Sequence, residues 1–201
     1  MKNYQIIQWC HHFIREQVER GDYCIDATCG NGYDTLLLCE LVGEEGLVAG
    51  FDIQDNAVEN TEKLLKEADM EKRACIFCEG HEKMKECLME NERCRKMAET
   101  EEGYGKISCI VFNFGYLPGG DHDLATKAST SIEAIEQSLS LLKKGGIISI
   151  CIYSGKDSGF EEKNALLEYL KELDSRKYLV IMSSYYNRPN HPPVPGIIIR
   201  L

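Results

Sequence analysis

"CIDATCGNGYDTLLL", Cys24–Leu38, holds a short apolar run, an acid, two glycines one residue apart, and then a leucine run with helical spacing. Asp26, Gly30 and Gly32 therefore fall between a strand and a helix. Glycines at such a junction let the backbone turn tightly and approach a ligand. The N-terminus of the following helix favours a carboxylate or a phosphate. In a G-x-G-x-x-G dinucleotide fingerprint the third glycine would stand at position 35, which is Thr35. The turn predicts a nucleotide-type cofactor and argues against a dinucleotide.

The alternation continues outward from this turn. Strands are predicted at Tyr23–Ala27, Leu47–Ile53, Ala74–Cys78, Ile107–Asn113 and Gly146–Tyr153. Helices are predicted at Asp34–Leu41, Asn56–Ala68, Glu82–Ala98, Ser131–Lys143 and Glu161–Leu173. The strands are rich in Val, Ile, Cys and Phe and nearly continuous in apolar character, as parallel strands covered on both faces must be. The strand–helix order makes this an α/β doubly wound sheet. The end of the chain breaks the pattern. "YLVIMSSYY" (Tyr178–Tyr186) and "GIIIRL" (Gly196–Leu201) both read as strands, and "NRPNHPPVP" between them has four prolines and no helical period. A parallel crossover needs a helix or a dozen-odd residues. The last two strands are therefore expected to form an antiparallel hairpin on an otherwise parallel sheet.

Composition bounds the function. The 201 residues contain no repeat, no low-complexity linker and no second composition regime, so 1–201 is expected to form one domain with an N-terminal helix. The polar stretch Glu90–Gly105 reads as a helix end and a surface loop. The N-terminus carries His, Arg and Glu through its apolar stripe, so no signal peptide is expected there. No apolar run reaches membrane length. Ten cysteines are scattered through predicted strands and helices, which fits free thiols in a reducing cytoplasm. The net charge of −10 argues against a strong nonspecific nucleic-acid binder and leaves room for a local basic patch. "CIFC" (Cys75–Cys78) on a strand puts its cysteines on opposite faces, and "CHH" (Cys10–His12) lies on an amphipathic helix whose adjacent residues do not share a face. Neither suits a metal. Trp9 reads as a core contact of that helix.

Asp52 in "VAGFDIQ" ends the second predicted strand, where an acid can accept hydrogen bonds from both hydroxyls of a ribose. With this acid in place, "DATCGNG" resembles the first motif of class I S-adenosylmethionine-dependent methyltransferases, and "FDIQ" resembles the second. "DATCGNGYDTLLL", "FDIQDNAVENT", "GHEKM", "FNFGYLPGGDH", "TSIEAIEQSLSLLKKGGIISICIYSG" and "NRPNHPPVP" resemble a small bacterial family labelled rRNA methylases. Its members are understood to methylate the aminomethyl group of 5-aminomethyl-2-thiouridine at the tRNA wobble position. The resemblance implies a Rossmann-like seven-stranded sheet, mostly parallel with the last strand antiparallel. It also implies S-adenosyl-L-methionine as cofactor, tRNA as partner, a cytoplasmic location and no membrane. A homodimer stays open, as do a small-metabolite or rRNA acceptor and a non-catalytic cofactor-binding subunit.

The resemblance also assigns roles. Asp26 and the loop Thr28–Gly32, which includes Gly30 and Asn31, are expected along the methionyl part, with Asp34 and Thr35 beside it. Asp52 is expected on the ribose diol, with Gln54 next to it. His81 and Glu82 follow the third strand, where such enzymes contact adenine; His81 reads equally as a helix cap or surface residue. Asn113 and Tyr116 have the Asn-x-x-Tyr spacing of amino-group methyltransferases, with Phe114-Gly115 where two prolines are usual. Asn113 also reads as a turn former and Tyr116 as a packed aromatic. Methyl transfer is an in-line displacement whose sulfur leaves neutral, so it rests on positioning and demands no metal. Asp121 or His122 is the candidate base. Tyr186, Arg188, Asn190 and His191 in the proline-rich loop, with Lys127 and Lys156, are the candidate RNA contacts.

Overall fold

The computed structural model describes residues 5–115, 126–153, 157–189 and 191–201. Among them, seven strands form one sheet: β1 (Tyr23–Asp26), β2 (Leu47–Phe51), β3 (Ala74–Phe77), β4 (Ile107–Phe114), β5 (Leu142–Ile152), β6 (Tyr178–Met182) and β7 (Val194–Arg200). Their order is β3-β2-β1-β4-β5-β7-β6. The first five strands pair in parallel, and β7 runs antiparallel to both β5 and β6. Six α-helices connect them among the described residues: α1 (Ile6–Gln17), α2 (Tyr33–Val42), α3 (Asp55–Glu67), α4 (Met84–Glu90), α5 (Ala128–Leu141) and α6 (Asp157–Lys171). The doubly wound sheet and the C-terminal hairpin are as the sequence predicts.

Both faces of the central strands are covered, whereas Leu179 and Ile181 of the edge strand β6 are exposed. On one face, Phe112 and Phe114 of β4 stack with ring centroids 4.9 Å apart and pack with Ile110, Met84 and Ile135. On the other, Cys24, Val48 and Cys109 meet Ile14 of α1 and Leu37 and Leu38 of α2. A fully buried side chain of this size contributes roughly 1.5–3 kcal/mol. This explains why β2, Leu47–Phe51, is apolar at every position and buried throughout. All ten cysteines are free thiols. No helix among the described residues is long and apolar enough to cross a membrane.

Several predicted boundaries are corrected. The helix expected over Glu82–Ala98 is broken: α4 ends at Glu90, and Arg95–Ala98 is a separate 3-10 turn. Asn91 breaks it, because its side-chain oxygen accepts hydrogen bonds from the amides of Arg93 at 3.0 Å and Cys94 at 3.2 Å. The segment "LKKGG" (142–146), expected as a helix end, a loop and the first residue of a strand, belongs wholly to β5. That strand pairs Leu142 with Ile107 and Ile147 with Cys109, so the extra residues form an irregularity in the ladder. The hairpin strands are also shifted, with β6 ending at Met182 and β7 beginning at Val194.

Candidate active site

The glycine turn after β1 is built from beneath by Asp26. This carboxylate is fully buried. Its Oδ2 accepts from Thr35 Oγ1 at 2.6 Å and its Oδ1 from the Thr28 amide at 3.2 Å. Gly30 and Gly32 both have positive φ, at 55° and 80°. A Cβ on Gly32 would also meet Thr61 Cα of α3 at 2.9 Å, so only glycine fits between the turn and that helix. These three residues, Asp26, Gly32 and Thr35, do not line the adjoining cavity. Asp26 and Thr35, expected along the methionyl part, hold the turn from beneath, and its outer surface, Thr28, Gly30 and Asn31, forms the wall. Burial, and then the nearby charge of Asp34, push the Asp26 carboxyl up to about 7.

The cavity measures about 880 Å³ and opens at the carboxyl ends of the parallel strands, where open α/β sheets bind ligands. Asp52, at the end of β2, accepts the Gly30 amide on Oδ2 at 2.9 Å and the Gln54 amide on Oδ1 at 3.0 Å. A carboxylate offers about four acceptor positions, so each oxygen keeps capacity for one more donor. Gln54 and Glu82 line the same region. His81 is neither a cap nor a surface residue. Gly80 holds the N-cap position, and His81 is 8% exposed, edge-on to Phe112 and Phe114 at the cavity wall. Burial pushes its imidazole down, towards the neutral form. Its Nε2 is buried without a hydrogen-bond partner among the described residues.

At the end of β4, Asn113 is held twice. Its amide donates to Thr28 Oγ1 at 2.8 Å, which ties β4 to the glycine turn. Its side-chain Nδ2 donates to Asp34 Oδ2, also at 2.8 Å. Asp34 Oδ1 in turn lies 2.6 Å from Nε2 of His11 on α1. An ionised carboxylate only accepts, so the Asn113 NH₂ must face Asp34 and its Oδ1 is left as an acceptor. His11 was missed by sequence reasoning, which weighed it only as a metal ligand. Tyr153, Thr126 and Thr130 also line the cavity and carried no motif signal. Lys127 and His191 lie on its wall, whereas Tyr186 and Arg188 are exposed away from it. Tyr116, Asp121, His122, Lys156 and Asn190 lie outside the described residues.

These residues fit S-adenosylmethionine. An acceptor carboxylate at the end of β2 suits a ribose diol. The His81 ring on the cavity wall, edge-on to Phe112 and Phe114, suits a heteroaromatic base. The carboxylates of Asp34, Asp52, Glu79 and Glu82 on the wall suit a cationic ligand.

Comparison with known proteins places the chain. The family described as "Putative rRNA methylase" matches residues 48–199. The family of protein-L-isoaspartate(D-aspartate) O-methyltransferases matches residues 4–87, the part holding the glycine turn. A Clostridium thermocellum structure described as a "putative rRNA-methylase" superposes with a TM-score of 0.89 at 38% identity, covering 100% of both chains. SMU.1697c of Streptococcus mutans, described as a "putative methyltransferase" and solved in complex with SAH, superposes with a TM-score of 0.83 at 30% identity, again over 100% of both chains. A chloroplastic tRNA (mnm(5)s(2)U34)-methyltransferase of Arabidopsis thaliana is 36% identical over 190 residues, 90% of this chain. The chain spans 65% of that relative's length. Sheet order, cavity and family match agree: the chain belongs to the rRNA methylase family, with the Rossmann-like fold of S-adenosylmethionine-dependent methyltransferases.

Proposed function

We propose that this protein transfers a methyl group from S-adenosylmethionine to the aminomethyl nitrogen of 5-aminomethyl-2-thiouridine at the tRNA wobble position. The observation that carries the reading is the orientation of Asn113. Its NH₂ is committed to Asp34 at 2.8 Å, so its Oδ1 is the acceptor at the cavity end of β4. An acceptor there suits an N–H nucleophile. The name of the Arabidopsis relative supplies the nucleoside.

The bound cofactor supplies an electrophilic methyl on a cationic sulfur. The protein's part is to hold an amine in line with it and to exclude water. Asn113 Oδ1 accepts one N–H of the neutral amine and aims its lone pair. Asp34, behind the amide, stabilises positive charge as it develops on nitrogen. Most of an aliphatic amine is protonated in neutral water, so the rate rises with pH until the bound amine is neutral.

Labelled S-adenosylmethionine, presented with tRNA bearing the free aminomethyl uridine, with rRNA and with a metabolite extract, tests this. The expected product is the methylaminomethyl nucleoside in tRNA. Label only in rRNA or only in small molecules overturns the acceptor. Asn113→Ala should lower kcat far more than it weakens cofactor binding. Wild-type turnover by that variant removes Asn113 from the mechanism.

A further inference from the structure

The N-terminal helix lines the cavity with Ile7, Gln8 and His11, and His11 joins the hydrogen-bond network of the strand ends. His11 Nε2 lies 2.6 Å from Asp34 Oδ1, and Asp34 Oδ2 accepts Asn113 Nδ2 at 2.8 Å. The three residues come from α1, α2 and β4, and all three line the cavity. The His11 and Asp34 side chains are only 15% and 9% exposed. Asp34 sits in the first turn of α2, where the helix end stabilises its negative charge. An ionised Asp34 requires the hydrogen on His11 Nε2, which fixes the imidazole as donor.

The carboxylate has two oxygens and a donor on each. Without His11, Oδ1 would lose its partner from α1, and the carboxylate could rotate about its last bond. Oδ2 would then no longer hold the Asn113 amide in one plane.

We infer that His11 is a positioning residue for the acceptor amine: it locks Asp34, and through Asp34 it fixes the Asn113 amide with Oδ1 facing the substrate. The inference rests on the amine-acceptor role of Asn113 proposed above. It assigns work to α1, a helix outside the strand-end motifs, and it gives "CHH" a function other than metal binding.

The test is a double-variant cycle on the full chain, with tRNA carrying the free aminomethyl uridine and saturating S-adenosylmethionine. His11→Leu should lower kcat about tenfold or more, with SAH affinity and Tm near wild type. His11→Gln, which keeps a donor, should recover most of that loss. Adding His11→Leu to Asn113→Ala should cost little more than Asn113→Ala alone, because the amide that His11 orients is already gone. Full additivity, or wild-type kcat for His11→Leu, overturns the inference and leaves the role of Asn113 intact. Wild-type kcat for Asn113→Ala overturns the role of Asn113 itself, and with it the inference. A second measurement needs no turnover. In the ligand-free protein, the Asn113 side-chain NH₂ resonances, identified by their loss in Asn113→Ala, should move in His11→Leu and stay near their wild-type positions in His11→Gln. Unmoved resonances in His11→Leu overturn the inference.

Discussion

The amide of Gly30 donates to Asp52 Oδ2 at 2.9 Å, so the glycine turn after β1 and the acid at the end of β2 form one hydrogen-bonded unit. Asp52 has two duties: it braces the turn and offers its remaining acceptor capacity to the cavity. Asp52→Ala should weaken S-adenosylmethionine binding by about 1–3 kcal/mol, the cost of leaving a hydrogen-bonding group unpaired. Titration calorimetry reads this directly, and unchanged affinity removes the ribose assignment.

Gly32 tests the turn separately from the ligand. Gly32→Ala must hold a side chain at φ 80° and push it to 2.9 Å from Thr61 Cα. The left-handed conformation alone costs roughly 1–2 kcal/mol. Gly103 has a similar φ of 81° with nothing within 4 Å of its would-be Cβ, so Gly103→Ala is the matched control. Urea unfolding should show Gly32→Ala as clearly the less stable of the two. Equal losses would mean that Thr61 gives way.

Cofactor class follows from Thr35. It stands where a dinucleotide fingerprint has its third glycine, and it is fully buried while donating to Asp26 at 2.6 Å. A side chain committed in this way keeps the helix from the close approach that a pyrophosphate needs. S-adenosylhomocysteine should raise Tm, by linkage worth about 2.7 kcal/mol at a hundredfold excess over Kd, and NAD at the same concentration should not. Matching shifts would count against the site.

Asp26 gives a pH signature. Its carboxyl is raised from 3.8 to about 7 by burial and by Asp34, so the native state holds that proton more tightly than the unfolded chain does. Stability from this group is full below the ordinary carboxylate range and falls as pH rises towards about 7. Asp26→Asn is neutral throughout and lacks that fall. The stability difference, variant minus wild type, should therefore increase between about pH 5 and about pH 8 in urea titrations. A difference independent of pH would show that Asp26 ionises in the fold as it does in water.

The sequence made the sheet and one wall of the cavity legible. β2 has no polar residue to hide, and Asp26, Gly30, Gly32 and Asp52 mark the strand ends by residue type alone. What escaped was set by contacts distant in the chain. His11 meets Asp34 across 23 positions, and no local period announces such a pair. Asp26 was legible as part of the site but not as its foundation. Burial decides between those roles, and burial comes from how β1 sits between β2 and β4. The break at Asn91 was local, yet it needed the geometry of one side-chain oxygen to show it.

The position of β7 between β5 and β6 leaves β6 at the edge of the sheet. β6 pairs with no other strand among the described residues, so β7 alone ties it to the sheet. The β6–β7 pairing is local, whereas joining β7 to β5 pairs Ile147 with Ile199, a contact distant in sequence with the larger loop-closure cost. β6 is thus a dependent edge. Its amides should exchange with solvent whenever β7 opens, while β1, β2 and β4, held on both sides by parallel neighbours, stay protected through the same event.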